Sequence, residues 1–227
     1  MTRKHYEAQL QQLDEQILEL GEMVGEAVAA CIKAMQERDV ASAQQLIQAD
    51  SGIDAKRYDI ERRALVLIAT QQPLATDLRT ITAVLIIAAE LERIGDYCDG
   101  IAKLTLRMAA EPIVAPLAHL RAMAEHTQRS MRDVLRAFDD RDLAGAGDVW
   151  SRDDEIDASY EEVFRTLIAE MIADPSTVRA GTYLLWVAHN VERMGDRITN
   201  IAERVAFIVT GDVASFREKE LAQSPPT

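Results

Sequence analysis

Apolar residues recur along the chain at intervals of three and four. Leu10, Leu13, Ile17, Leu20 and Val24 form one such stripe. Val84, Ile87, Leu91, Ile94, Cys98 and Ile101 form a second, and Leu184, Val187, Val191, Met194, Ile198 and Ile201 form a third. That spacing returns to one side of a helix, whereas a half-buried strand would alternate. Polar punctuation is sparse. Arg38-Asp39 ends the first stripe, and Asp39 is placed to cap a second helix that continues to about Thr70. Pro73 then reads as a first-turn residue of a third helix. Connections this short make consecutive helices antiparallel neighbours.

The whole pattern occurs twice. Arg38, Asp39, Asp50, Ile53 and Asp54 recur as Arg141, Asp142, Asp153, Ile156 and Asp157. Further on, Thr82, Leu85, Glu92, Arg93, Gly95 and Asp96 recur as Thr182, Leu185, Glu192, Arg193, Gly195 and Asp196. The register between the copies slips near Pro73 and Pro175, where a turn tolerates deletion. The reading is an all-α protein of two tandem, pseudo-symmetric three-helix bundles, with six long helices. The first unit spans residues 1–110 and the second 117–213. The stretch "AAEPIVAP" supplies a linker at 111–116, and a flexible polar tail occupies 214–227.

Composition supports helices: hydrophobic residues make up 48% and aromatics only 5%, with few Gly and Pro. The formal net charge of -13 disfavours nucleic acid and favours cations. Cys31 and Cys98 sit on apolar helical faces outside any C-x-x-C pair, as small buried hydrophobes in a reducing compartment. The N-terminus lacks the apolar core of a signal peptide, and the run Ala83 to Ala89 is too short to span a bilayer. The expectation is a cytoplasmic protein.

Candidate chemistry lies in the repeated Glu-Arg-x-Gly-Asp. Glu92 and Asp96 share a helical face, and Asp99 extends it; Glu192 and Asp196 do the same, followed by Asn200 and Glu203. Carboxylates one turn apart repel each other, and Arg93 and Arg193 are expected to point about a quarter turn away. Gly95 and Gly195 each cost roughly 1 kcal/mol in a helix interior, so they imply close approach of a neighbour or a ligand. The second helices add Asp50 and Asp54, and Asp153 and Asp157. Asp54 and Glu92 are equally far from Pro73 on either side, as are Asp50 and Asp96. The second copy matches to within one residue, or about 1.5 Å of rise. The counts allow four carboxylates per unit at one level, although spacing leaves open whether the two stripes face the same groove, and such an all-oxygen set suits Mg²⁺, Mn²⁺, iron or Zn²⁺. A solvated acidic face is the bland alternative. Di-iron helical bundles are the enzymatic rival, but they use Glu-x-x-His, and no Glu stands three before His5, His119, His126 or His189. His189 precedes Glu192 by three and could supplement the site. Trp150, Trp186, Met23 and Met35 are expected in the core, with Tyr97 and Arg197 facing solvent or a partner.

These residues resemble the PhoU family of bacterial phosphate-signalling regulators. The resemblance rests on the doubled unit, the paired E-x-x-x-D motifs, "QQPLATDLR" (Gln71 to Arg79) and the Ile-Asp pairs Ile53-Asp54 and Ile156-Asp157. It implies a cytoplasmic, non-catalytic homodimer that binds multinuclear iron or zinc clusters, or other divalent ions such as manganese or magnesium. It also implies negative regulation, linking a phosphate ABC importer to a sensor histidine kinase, and contact with the membrane only through those partners. The implied metal ligands carry over to Glu92, Asp96, Glu192 and Asp196. Thr199 stands opposite Asp99, so the two sites would differ in affinity. "DPSTVR" in the second unit is shorter than "QPLATDLR" and lacks its Asp. A metal-independent helical adaptor shares the fold and the role without an ion.

Overall fold

The computed structural model describes residues 3–111 and 118–212. The expected linker falls almost wholly, and the expected tail wholly, outside them. Among the described residues seven α-helices run in order: α1 Arg3–Glu37, α2 Val40–Gln71, α3 Ala75–Met108, α4 Ala118–Asp140, α5 Leu143–Ser151, α6 Asp153–Ala173 and α7 Val178–Thr210. A single 3-10 turn, Pro175–Thr177, precedes α7, and no strand occurs among the described residues.

The repeated Arg-Asp pair makes the same corner twice. Arg38 (φ 55°) and Arg141 (φ 53°) adopt the left-handed conformation that stops a helix. The following aspartate caps the next one. Asp39 accepts from the Ala41 and Ser42 amides at 3.0 and 3.1 Å, and Asp142 accepts from Ala144 at 3.0 Å.

Two details differ from the sequence pattern. Pro73 was expected in the first turn of the third helix, but α3 begins only at Ala75, after extended Leu74. In the second copy Pro175 does open a helical turn, and Asp174 caps it. The counterpart of α2 is also broken, into α5 and α6 at Arg152. Its guanidinium reaches Asp133 of α4 at 2.9 Å and the Asp148 carbonyl at 3.0 Å. Three consecutive acids, Asp153, Asp154 and Glu155, follow the break. Negative charge favours a helix N-terminus, so the sequence supports a fresh start there.

α3 and α7 pack on each other more extensively than any other pair and form the middle of the molecule. Glu90 meets Arg197, while a Cβ on Gly100 would touch Asn190, so the two helices run antiparallel. Their apolar stripes join those of the flanking helices in one continuous core. Cys31 and Cys98 are buried within it as free thiols, and burial pushes Cys98 well above the ordinary thiol range. Among the described residues no helix is long and apolar enough to cross a membrane.

Candidate metal centres

The two Glu-Arg-x-Gly-Asp segments fall between the Glu90–Arg197 and Gly100–Asn190 crossings, so they stand at one level on the central helix pair. Each faces a different flank. The glycines explain how. A Cβ on Gly95 would lie 3.1 Å from Ile53 Cδ1 and 3.8 Å from Asp50 Oδ1. A Cβ on Gly195 would lie 3.0 Å from Ile156 Cδ1 and 3.5 Å from Asp153 Oδ1. The close approach is therefore that of a neighbouring helix, and it draws the aspartates of α2 and α6 onto α3 and α7.

In the first cleft, the α2 and α3 carboxylates feel one another. Burial raises the Asp50 carboxyl above the ordinary range, with Asp99, Asp54 and Asp96 adding repulsion. Glu92 is raised by burial and then by Asp96, with Arg57 of α2 and Arg93 acting against the rise. Asp96 is raised by burial, then by Asp54. Asp99 is clasped by Lys103 one turn on. The α2 and α3 carboxylates lie near one level, but the pairs are offset from those of equal distance to Pro73: Asp96 feels Asp54 most, and Asp50 feels Asp99 most.

The second cleft repeats this with more burial. Asp153 is pushed up to about 6, first by desolvation and then by Asp157 and Asp196, while a hydrogen bond from the Thr199 hydroxyl partly counters the rise. Asp157 is raised by burial and Asp196; Glu192 is raised by burial, then by Asp196, Asp157 and Asp153. Asn200 lines a groove of about 380 Å³ together with Asp153, Asp196, Thr199 and Glu203. His189 Nδ1 stands 3.5 Å from Glu192 Oε2, a buried oxygen that accepts no hydrogen bond.

Arg193 does not turn away as expected. It donates to Asp196 Oδ2 at 2.7 Å and brings Nε within 3.4 Å of Glu192 Oε2. A long side chain reaches i+3 despite its starting direction. Lys103 and Arg193 thus give each cleft a built-in cation. Among the described residues, no three His, Cys, Asp or Glu side chains are drawn together tightly enough to hold a metal ion. What each cleft does hold is a set of carboxylates from two helices, raised first by burial and then by one another.

Other expectations fare unevenly. Met35 is buried, and Trp150 and Met23 pack against the core, but Trp186 is half exposed. Tyr97 leans on the core, and Arg197 bonds Glu90 across the α3–α7 seam at 3.2 Å. Sequence reasoning missed Lys103, although its i+4 spacing from Asp99 was visible. It also missed Arg57, and it read Thr199 only as a lost carboxylate, whereas packing of α6 on α7 makes its hydroxyl a partner of Asp153.

Fold and site together define a class: a tandem helical bundle with one carboxylate cleft in each half. The family model of the PhoU domain matches residues 17–105 and again 120–205. A phosphate-specific transport system accessory protein PhoU homolog of Caulobacter vibrioides is 40% identical over 221 residues, covering 97% of this chain and 96% of that one. The Rhizobium meliloti homolog is 37% identical, covering 91% and 87%. The crystal structure of PhoU from Pseudomonas aeruginosa superposes with a TM-score of 0.88 at 28% identity, covering 91% of this chain and 100% of that one. That of the phosphate transport system regulatory protein PhoU from Streptococcus pneumoniae gives 0.86 at 27%, covering 92% and 98%. The chain belongs to the PhoU family.

Proposed function

We propose that this protein is a non-catalytic, cytoplasmic accessory protein of phosphate uptake, acting as a negative regulator between a phosphate ABC importer and a sensor histidine kinase. The observation that carries the reading is end-to-end similarity to proteins named for that transport system, over a fold that holds both duplicated motifs at one level. The second cleft places a histidine beside Glu192, but the Glu-x-x-His order of di-metal bundle enzymes is absent, which supports a role without catalysis. Deleting the gene should leave phosphate-starvation genes expressed in phosphate-rich medium. Normal repression in the deletion strain would overturn the role.

Divalent-metal binding is part of the same proposal. Glu92 and Asp96 with Asp50, Asp54 and Asp99 would hold one ion or cluster, and Glu192 and Asp196 with Asp153, Asp157 and Asn200 the other. A bound cation supplies the charge that Lys103 and Arg193 now provide only from one side. Glu92→Gln with Asp96→Asn should remove roughly half of the bound metal and keep the fold, because neither side chain belongs to the apolar core. Elemental analysis of metal-loaded protein reads the ratio, and an unchanged ratio refutes the first site. The metal-independent adaptor is favoured by one observation, the pairing of Arg193 with Asp196. Melting that ignores both divalent ions and chelator would decide for it. Homodimer formation belongs to the proposal as well, and sedimentation of the full chain tests it.

A further inference from the structure

Duplication supplies a control inside the molecule. Where the halves differ, a side chain that one half carries and the common fold does not require asks for another cause. One surface of the second half breaks the symmetry. Tyr160 and Phe164 stand one turn apart on α6, with ring centroids 6.4 Å apart. Tyr160 also faces His189 of α7 at 6.2 Å. Trp186, one turn before His189, meets Tyr183 at 6.2 Å. α6 and α7 are joined by a short turn and run antiparallel. Stepping from Tyr160 to Phe164 and from His189 to Trp186 therefore moves in the same direction, so the Tyr160–Phe164–His189 cluster and the Tyr183–Trp186 pair follow one another along α6 and α7 as a ridge of rings. The corresponding first-half residues are Arg57, Glu61, Ala83, Ile86 and Ala89, none of which carries a ring.

The core does not need these rings where they are: Phe164 is 41% and Trp186 50% exposed. A large aromatic left in water is informative when it clusters with others. The rim is acidic. Glu161 and Glu192 bear on Tyr160, whose phenol is raised first by burial and then by these two charges. The neighbouring arginines are already committed: Arg193 to Asp196, Arg165 to Glu162 at 2.8 Å, and Arg179 to Glu111 at 3.0 Å.

We propose that this ridge docks a cationic, arginine-bearing segment of a partner protein. A guanidinium stacks on an aromatic face and keeps its edge donors free for carboxylates, so aromatic rungs with an acidic rim match it better than they match an apolar or acidic partner. The net charge of -13 steers such a segment toward the chain. Glu192 belongs to both the rim and the second cleft, so the test is run without metal and keeps Glu192 unchanged.

The experiment uses the full chain in chelator at physiological salt, with a fluorescein-labelled helical peptide bearing arginines at i, i+4 spacing. A second peptide carries citrulline at those positions, keeping shape and removing charge. Anisotropy should show the arginine peptide binding and the citrulline peptide weakened by roughly tenfold or more, with Phe164→Ala and Trp186→Ala each causing a comparable loss. Trp186→Phe, which keeps a ring, and Ile86→Ala, its first-half counterpart, should bind like the parent. Circular dichroism confirms that each variant folds. No binding by the parent, full binding by Trp186→Ala, or equal loss in Ile86→Ala overturns the proposal. So does a dimer that Trp186→Ala converts to monomer, which would make a second copy of this chain the occupant.

Discussion

Asp153 carries the largest electrostatic penalty among the cleft carboxylates, at about 6 against an ordinary 3.8. A carboxyl raised in the folded state holds its proton more tightly than in the unfolded chain. Its contribution to stability is therefore fully present below the unfolded value and lost as pH rises through the folded one. Metal-free protein should grow more stable as pH falls from neutral through about 6, levelling off near 4. Asp153→Asn should remove much of that slope and raise stability at neutral pH by about 1 kcal/mol, after discounting for partial exposure. Urea midpoints measured across this pH range in chelator check both statements. Gly95→Ala sets two effects against each other. Alanine gains helix propensity of roughly 1 kcal/mol, but its methyl meets Ile53, whose branched side chain is stiff. We expect a net loss of about 1 kcal/mol, because overpacking costs more than the propensity returns. Equal or higher stability in urea would show that Ile53 moves aside.

At the scale of elements, the corners and the break decide where carboxylates sit along their helices. Asp142 caps α5 through the Ala144 amide, so Asp142→Ala should cost about 1 kcal/mol in urea denaturation. An unchanged midpoint would mean that the left-handed Arg141 corner holds the helix start by itself. The break at Arg152 places Asp153 in the first turn of α6, where its charge is favoured by the helix end while burial opposes it. In the first half Asp50 has no such terminus, because α2 runs through it unbroken. The two clefts are therefore built from the same residues in different helical contexts, a difference that adds to the Asp99-for-Thr199 exchange.

For the whole molecule, the shared core implies a single unfolding event. α3 and α7 belong to different halves yet contribute to one apolar cluster, and Arg197 ties the seam to Glu90. Both tryptophans, Trp150 and Trp186, lie in the second half, so fluorescence reports that half while far-UV circular dichroism reports both. The two urea curves of the parent protein should coincide. A circular dichroism transition split from the fluorescence transition would show halves that unfold separately. Arg197→Ala should lower the unfolding free energy by about 1 kcal/mol and the common midpoint with it, since Glu90 would be left in the seam without that partner.

Periodicity alone determined that the chain is helical, that it is doubled, and that Glu92, Asp96, Glu192 and Asp196 lie on shared faces. These are properties of one helix and its repeat, and the 3.6-residue turn carries them in the order of residues. The Arg-Asp corners were legible for the same reason, because a cap bonds its own chain two or three residues on. Equal distances from Pro73 put the α2 and α3 carboxylates near one level but not in the right pairs, since Asp96 feels Asp54 most and Asp50 feels Asp99 most. Three things needed the tertiary structure. The break at Arg152 depends on Asp133 from another helix. The reach of Arg193 onto Asp196 depends on a rotamer, which spacing permits but does not choose. The antiparallel crossing that sets both motifs at one level depends on how α7 lies against α3, and so does the exposure of Trp186, whose Ile86 counterpart follows the same period. A helical repeat says which residues share a face; only packing against residues far away in the chain says what that face meets.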